Sequence, residues 1–380
     1  MNVIIVGAGP GGCAAAIALA QRGVRDVMLL DRSKFPRQKT CGSAISPLGL
    51  RVLADLGVET EVRRRAAVIH SLILTTPRNR TIQLGGGEAA VVLLRKEFDQ
   101  LLVDRARALG VTFRDGVTVT GLIEEDGRVV GVRAGGEEIR ARFVIAADGA
   151  HSQFSIDARP KRTLATIMGW WEDFAYEPGT IEMVFDRTLS PLYGWMFPEA
   201  PNRVNIGIVV DGERAGAGGD LGNLRPVFQD FLARHYAARL RTAQPVGKWS
   251  GHPISYTTWT SGATRPGALY VGESARLTNA ATGEGIYQAM RCGVIAGETL
   301  AGVVEGGATE PQAWRAYTRT CRRTFAPGFV MGHAFRAAVR AGVLDGVALA
   351  YAQPRLRRMA AWALGSALTA SSVSGERSRN

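Results

Sequence analysis

Apolar and polar positions along the chain follow two periods, and the switches between them predict the elements. Residues 2–6 form a short apolar run that ends in a glycine-rich turn. An alanine-rich segment over 11–21 has high helix propensity, and Gly23 punctuates its end. A second apolar run, 27–30, finishes on Asp31. Strand, helix and strand within about thirty residues make a βαβ unit. Phe98, Leu101, Leu102 and Leu109 share one face of a helix over 96–109. Three strands follow at 117–123, 128–133 and 138–147, the first two joined through the hairpin dipeptide Asp126-Gly127.

From about Lys161 the texture changes. Short aromatic-rich runs at 164–171, 180–185, 193–197 and 203–210, separated by polar or Pro/Gly breaks, predict an antiparallel sheet. A helix is predicted over 224–240, and a buried strand with a glycine-rich turn over 268–272. Another helix runs from near Gly283 to about Leu300. The chain from Gln312 is mostly helical and arginine-rich, and 371–380 reads as a disordered tail.

Composition narrows the class. With 380 residues and 46% apolar content the chain can bury more than one core. At 21% charged residues it is neither disordered nor collagen-like. The net charge of +12 is nearly all arginine; the lysines are Lys34, Lys39, Lys96, Lys161 and Lys248. The arginines are scattered, with no dense basic run and no interleaved aromatics, so nucleic acid is not expected as a partner, and a polyanionic cofactor is. Cys13, Cys41, Cys292 and Cys321 form no CxxC and no zinc spacing. They suit reduced thiols in a cytoplasmic protein. The N-terminus opens on a strand without a signal-peptide pattern, and no apolar run reaches membrane-spanning length.

Gly7-Ala8-Gly9-Pro10-Gly11-Gly12 is G-x-G-x-x-G, a weak pattern alone. Here it follows a strand and opens a helix, and Asp31 lies nineteen residues after Gly12. Gly7 permits the tight turn, Gly9 lets the backbone approach a pyrophosphate at the helix N-terminus, and Gly12 allows close helix–strand packing. Asp31 is placed to accept hydrogen bonds from an adenosine ribose. Cys13, next on the helix, reads as a small packing residue.

Three later segments bring in a resemblance. Val144-Ile145-Ala146-Ala147-Asp148-Gly149-Ala150-His151-Ser152 resembles the DG motif of the FAD-dependent hydroxylase superfamily. Val271-Gly272-Glu273-Ser274-Ala275-Arg276 resembles its GD motif, whose acid binds a ribityl or ribose hydroxyl. Gly283-Glu284-Gly285-Ile286 is similar to the turn whose amides face the isoalloxazine. Arg95 is placed like the arginine that reaches the FAD phosphates. Tyr193-Gly194-Trp195-Met196-Phe197-Pro198 resembles the Y-x-W-x-F-P motif of the geranylgeranyl reductase family, and Lys39-Thr40-Cys41-Gly42 resembles that family's segment beside the flavin. The likeness runs from Asn2 to about Leu300. The chain departs from the family pattern with Glu273 for Asp, Arg276 for Gly, and Ala280 in a stretch that usually carries Pro. Arg276 could meet an anionic group or point into solvent.

Turn and resemblance together imply an α/β fold: a Rossmann-type FAD-binding domain with an inserted antiparallel-sheet substrate domain and a helical C-terminal segment. The expected division is 1–160 for the first part of the FAD-binding domain and 161–250 for the sheet domain. Residues 251–305 complete the FAD-binding domain, and 306–380 form the helical segment. The implied FAD-binding set is Gly7, Gly9, Gly12, Asp31, Arg32, Cys41, Gly42, Arg95, Asp148, Gly149, Gly272, Glu273, Gly283, Gly285 and Ile286. Catalytic candidates are Cys41, Tyr193 and Trp195, with Phe197 expected to pack in a core. No metal site is expected.

The reaction stays open at this point. A reductase would use FAD, itself reduced by NADPH or NADH, to reduce a C=C bond of an apolar small molecule, an isoprenoid chain by the resemblance. A monooxygenase of secondary metabolism, hydroxylating or epoxidising, would use the same fold. A non-enzymatic flavoprotein factor in maturation is a third reading. Halogenation is disfavoured: the family that performs it resembles W-x-W-x-I-P where this chain has Tyr193–Pro198, and it needs a lysine that is absent between Lys39 and Lys96. Arg355, Arg357 and Arg358 beside Met359, Trp362 and Leu364 allow peripheral membrane contact, although a packed helix is the simpler expectation. The oligomeric state is not legible.

Overall fold

The computed structural model describes residues 1–154, 162–200, 202–212, 221–256 and 264–370. The first half runs β1 (Val3–Val6), α1 (Pro10–Gln21), β2 (Val27–Asp31), β3 (Ala44–Ile45), α2 (Pro47–Asp55), α3 (Glu59–Arg65), β4 (Ala67–Thr75), β5 (Thr81–Val92), α4 (Arg95–Ala108), β6 (Thr112–Asp115), β7 (Val119–Glu125), β8 (Arg128–Ala134), β9 (Glu137–Arg140) and β10 (Phe143–Ala146). The second half runs β11 (Arg162–Glu172), β12 (Thr180–Val184), β13 (Gly194–Ala200), β14 (Arg203–Asp211), α5 (Leu221–His235), α6 (Ala237–Leu240), β15 (Gln244–Tyr256), β16 (Thr264–Arg265), β17 (Ala268–Tyr270), α7 (Ile286–Val304), α8 (Glu310–Arg340), α9 (Val343–Ala352) and α10 (Arg357–Ala370).

The short strands β1, β2 and β10, apolar throughout except for Asp31 at the end of β2, are buried on both faces, as central parallel strands are. They build a six-stranded sheet in the order β16-β17-β10-β1-β2-β6. β17 enters this sheet parallel to β10, so a segment far along the chain completes it. Helices α1 and α7 cross in unusually close contact. A Cβ at Gly293 would lie 2.2 Å from the Gly11 carbonyl oxygen, and one at Gly297 would lie 2.7 Å from that of Ala15. The alanines of α1 and these glycines thus let the two backbones touch. Gly293→Val is expected to force the helices apart and to lower stability by about 1–3 kcal/mol, the usual cost of overpacking. A thermal midpoint equal to wild type would show that the contact is not tight.

An eight-stranded sheet in the order β15-β11-β14-β13-β12-β4-β5-β3 stands beside the first. Its strands at 162–256 are the expected antiparallel set, but β3, β4 and β5 come from residues 44–92. The sheet therefore extends beyond 161–250 into the stretch assigned to the FAD-binding part. β4 joins it parallel to β12, a pairing with no local signal. β5 was hidden because Gly85-Gly86-Gly87 interrupts its apolar pattern.

Two more expectations change. The run 138–147 is two strands. Polar β9 pairs with β8 in a three-stranded sheet, whereas apolar β10 turns into the six-stranded one, and one straight strand cannot serve both. The helix expected over 224–240 breaks at Tyr236 into α5 and α6. The tail 371–380 and Lys161 lie outside the described residues. The arginine-rich C-terminal segment is helical as α8, α9 and α10, and among the described residues no helix is long and apolar enough to cross a membrane.

Candidate functional site

The glycine turn sits between β1 and α1 with its backbone strained only where glycine permits it. Gly7 has φ +102°, and a Cβ there would lie 2.4 Å from the Ala147 carbonyl oxygen. A Cβ at Gly12 would lie 1.9 Å from the Gly7 oxygen. Gly9 differs: its φ of −74° suits any residue, and the nearest atom to a Cβ would be Arg37 Nη2 at 3.8 Å. The protein leaves space at Gly9, where a pyrophosphate would approach. Asp31 is buried at the end of β2; its carboxylate accepts from the Ala8 amide at 2.9 Å and the Ser33 amide at 2.8 Å. Asp31 thus holds the turn, with lone pairs left for a ligand hydroxyl. Arg32 is exposed and outside the cavity lining.

Two residues missed from the sequence stand nearby. Asp99 is fully buried and accepts both Nε and Nη2 of Arg95, at 2.8 and 2.7 Å. It also pairs with Arg37 Nη1 at 2.9 Å. Arg95 lines the cavity beside Cys41, but two of its nitrogens are engaged by Asp99. Arg37 is the guanidinium near Gly9. The i,i+4 spacing of Arg95 and Asp99 was a usable signal for their pairing; nothing local pointed to Arg37.

The DG and GD segments meet through Ser274. Its hydroxyl donates to Asp148 Oδ1 at 2.9 Å and accepts the Gly149 amide at 3.0 Å. Asp148 Oδ2 accepts the Gln153 amide at 3.1 Å. Gly272 has φ +62°, and Glu273 follows with Oε2 3.7 Å from Lys39 Nζ. Glu273 Oε1 is buried without a hydrogen-bond partner and lines the cavity. Arg276 is buried and lies outside the cavity lining, so it neither points into solvent nor reaches the hollow. Its backbone, at φ +59°, closes the turn by donating to the Glu273 carbonyl. Ala280, at the Pro position, is also buried.

Gly283, with φ +66°, and Gly285, the N-cap of α7, line the cavity with Ile286. Asn279 shapes this turn by accepting the Ala281 amide at 2.9 Å and the Thr282 amide at 3.3 Å. The nineteen-residue α7 therefore presents its N-terminus to the hollow, where helix dipoles favour negative charge.

Tyr193, Trp195 and Phe197 all line the cavity, with successive ring centroids 6.3 and 6.1 Å apart. Phe197 is thus not sealed in a core; it is half-buried against Gly42, where a Cβ would come within 3.1 Å of the ring. Tyr193 donates to the Thr282 carbonyl, and burial pushes its phenol pKa up. Trp195 Nε1 donates to Asn205 Oδ1 at 2.7 Å. Both polar donors are engaged within the protein. Asn205→Ala would leave the buried indole N–H unpaired and is expected to cost about 1–3 kcal/mol. Urea melts check this, and wild-type stability would contradict it. Cys41 lines the same hollow half-buried, its sulfur accepting the Ser43 amide at 3.3 Å.

Sequence reading also missed His252. Ser250, His252 and Ile254 alternate along β15, and Ser250 shares a 2.6 Å hydrogen bond with Thr40. The His252 ring meets His151 edge-on at 5.2 Å, and its Nε2 is buried without a partner in the cavity wall. Burial, then the charges of Lys39, His151, Arg95 and Arg32, pushes its pKa down to about 3, so it is neutral near pH 7.

Beyond the turns the hollow, about 350 Å³, becomes an apolar arm walled by Leu72, Met168, Ile181, Met183, Val209 and Ile254. The chain contributes to both ends of one cavity, polar at the glycine turns and greasy under the large sheet.

Comparison with known proteins matches this layout. Residues 1–174 match the family model described as FAD binding domain. Digeranylgeranylglycerophospholipid reductase 1 of Methanopyrus kandleri is 31% identical over 83% of this chain and 84% of its own length. The chain belongs to the geranylgeranyl reductase family of FAD-dependent oxidoreductases. Reductase 2 of the same organism is 30% identical over 86% of this chain and 84% of its own. A geranylgeranyl bacteriochlorophyll reductase-like protein from Thermoplasma acidophilum has a similar fold, with TM-score 0.83 and 21% identity over 96% of this chain and 95% of that one. The flavin-dependent brominase Bmp2 also has it, with TM-score 0.77 and 17% identity over 96% of this chain and 93% of that one. At these identities both structures report fold alone.

The residues present fit FAD. The open space at Gly9, the helix N-termini of α1 and α7, and the orphaned Glu273 Oε1 are what a bound dinucleotide would satisfy.

A further buried acid, Glu199, also lies outside the cavity lining. Glu199 accepts from Trp170 Nε1 at 3.2 Å and sits 3.4 Å from Arg203 Nε, yet burial pushes its pKa up to about 7. Its folded pKa stands above the ordinary glutamate value. The folded state therefore binds the proton more tightly, and this contribution to stability is lost as pH rises through 7. Glu199→Gln is expected to stabilise at pH 8 relative to its effect at pH 5. Urea melts at both values decide it; a benefit confined to low pH would be the opposite sign.

Proposed function

We propose that this chain reduces a carbon–carbon double bond in an isoprenoid-like lipid, drawing electrons from NADPH or NADH. The observation that carries the reading is the single cavity, whose flavin-type turns open directly into an apolar arm. FAD, when bound, supplies the hydride for the reduction.

The proposed cofactor set is the glycine turn of Gly7, Gly9 and Gly12, with Asp31 and Arg32, and Arg95 assisted by Arg37. Cys41, Gly42, Asp148, Gly149, Gly272, Glu273, Gly283, Gly285 and Ile286 complete it. Asp31 and Glu273 accept from sugar-type hydroxyls. The N-terminus of α7 stabilises negative charge on the ring system. Tyr193 and Trp195 have their protons engaged elsewhere, so they shape and orient the alkene rather than protonate it. Cys41 is the one thiol among the described cavity-lining residues, and it is the proposed proton donor to the carbon beside the one that takes hydride. The neutral ring of His252 adds no competing charge. Free cysteines at all four positions support a reducing compartment, the cytoplasm. A substrate of this kind resides in bilayers, so peripheral membrane contact belongs to the same reading.

Anaerobic stopped-flow tests it. Flavin reduced by NADPH or NADH should be reoxidised by an isoprenoid alkene without oxygen, and Cys41→Ala should slow that step when the rate is read per bound flavin. Reoxidation only with oxygen, with substrate-stimulated oxygen uptake, would mean a monooxygenase.

A further inference from the structure

Large apolar side chains that stand exposed are concentrated on one layer of the molecule. Among the described residues they are Met1 and then Val330, Met331, Val343, Leu349, Met359 and Trp362. All but Met1 lie on α8, α9 and α10, helices packed on one another. Trp362 is 72% exposed and Met359 60%. An indole so placed on a folded protein has little to gain from water.

The charge on this layer is overwhelmingly positive; Glu310, the first residue of α8, is taken up by Arg128. Residues 311–370 contain nine arginines, no lysine and a single acid, Asp345. Asp345 is buried, accepting from the Thr76 hydroxyl and the Arg78 amide. The exterior of this segment therefore displays arginines, including Arg355, Arg357 and Arg358, with no exposed carboxylate of its own.

We infer that the outer face of α8, α9 and α10 docks on the surface of an anionic phospholipid bilayer. Trp362 and Met359 enter the headgroup boundary, and the arginines meet lipid phosphates. Apolar anchors among cations that can snorkel are the chemistry of an interfacial surface. No described helix is long and apolar enough to span, so the face lies on the bilayer. A second copy of this chain is a poor occupant, because a two-fold contact would set arginine against arginine.

Location supports the same partner. The inner sides of these helices, through Phe335, Leu344 and Leu364, pack into one cluster with Met183, Tyr193 and Trp195, which wall the cavity. A bilayer on the outer face is one helix layer from the apolar arm. The inference deepens the lipid reading, and rests on it for the choice of a bilayer.

The test needs no turnover. The full FAD-loaded chain is sedimented with vesicles of phosphatidylcholine alone and of phosphatidylcholine mixed with phosphatidylglycerol, at low and high salt. Expected is binding to the anionic vesicles, weakened by salt, and little binding to the neutral ones. The double variant Met359→Ser with Trp362→Ser should bind anionic vesicles about tenfold less. Arg355→Gln with Arg358→Gln should lose most of the preference for anionic lipid. FAD content and thermal midpoint should match wild type in both. No binding to either vesicle, or unchanged binding in both double variants, would overturn the inference. So would light scattering that shows a dimer broken by the same substitutions. Failure here would leave the reductase reading standing, and vesicle binding by an inactive enzyme would leave this one standing.

Discussion

Gly9→Val is expected to fold with close to wild-type stability and to lose FAD. The backbone at Gly9 has φ −74°, and the nearest atom to an added Cβ is 3.8 Å away on a flexible arginine. The protein alone therefore has room for the side chain. The same room is where the pyrophosphate would meet the backbone amides at the start of α1. Two methyl groups there would bar that approach, and affinity should fall at least about a hundredfold, or about 3 kcal/mol. Gly7→Val is the contrast. At φ +102°, with a carbonyl oxygen 2.4 Å from the added atom, it should damage the fold itself. Flavin fluorescence titration and thermal melting separate the two. Wild-type FAD occupancy in Gly9→Val would show that the turn does not hold the cofactor.

Asp99→Asn should be the most destabilising conservative change near the site. Asp99 is fully buried and neutralises two guanidinium groups, one of them the nearly buried Arg95. An amide of the same size donates as well as accepts and carries no charge, so the paired cations would be left uncompensated. Breaking a buried pair by removing one partner costs about 3–5 kcal/mol. Urea unfolding of the FAD-free protein measures this. Added FAD should recover part of the loss, because its phosphates would offer Arg37 and Arg95 a new counter-charge. A melt within experimental error of wild type would show that solvent, not Asp99, satisfies the two arginines.

Much of the site was legible because its parts are short and local. The glycine turn, the DG and GD segments and the Gly283 turn each place a required backbone geometry within a few residues, and the cavity gathers them. The aromatic alternation of Tyr193, Trp195 and Phe197 correctly set three rings on one face, because strand side chains alternate whatever the partner strand is. Their roles were not legible. Whether an indole N–H faces a ligand or Asn205, ten residues on, depends on how β13 and β14 pair. Arg276 was open between ligand and solvent, and packing buried it away from both.

Periodicity and turn chemistry act over a few residues, and from them the chain alone determines its βαβ start, its aromatic sheet and its flavin-type turns. Contacts between distant segments obey no such local rule. Only folding brought β4 and β5 into the large sheet, set Arg37 beside Asp99, put His252 in the cavity wall and stapled Asp148 to Ser274. Each of these is a meeting of surfaces that happen to fit, and fit is a property of the packed molecule rather than of any stretch within it.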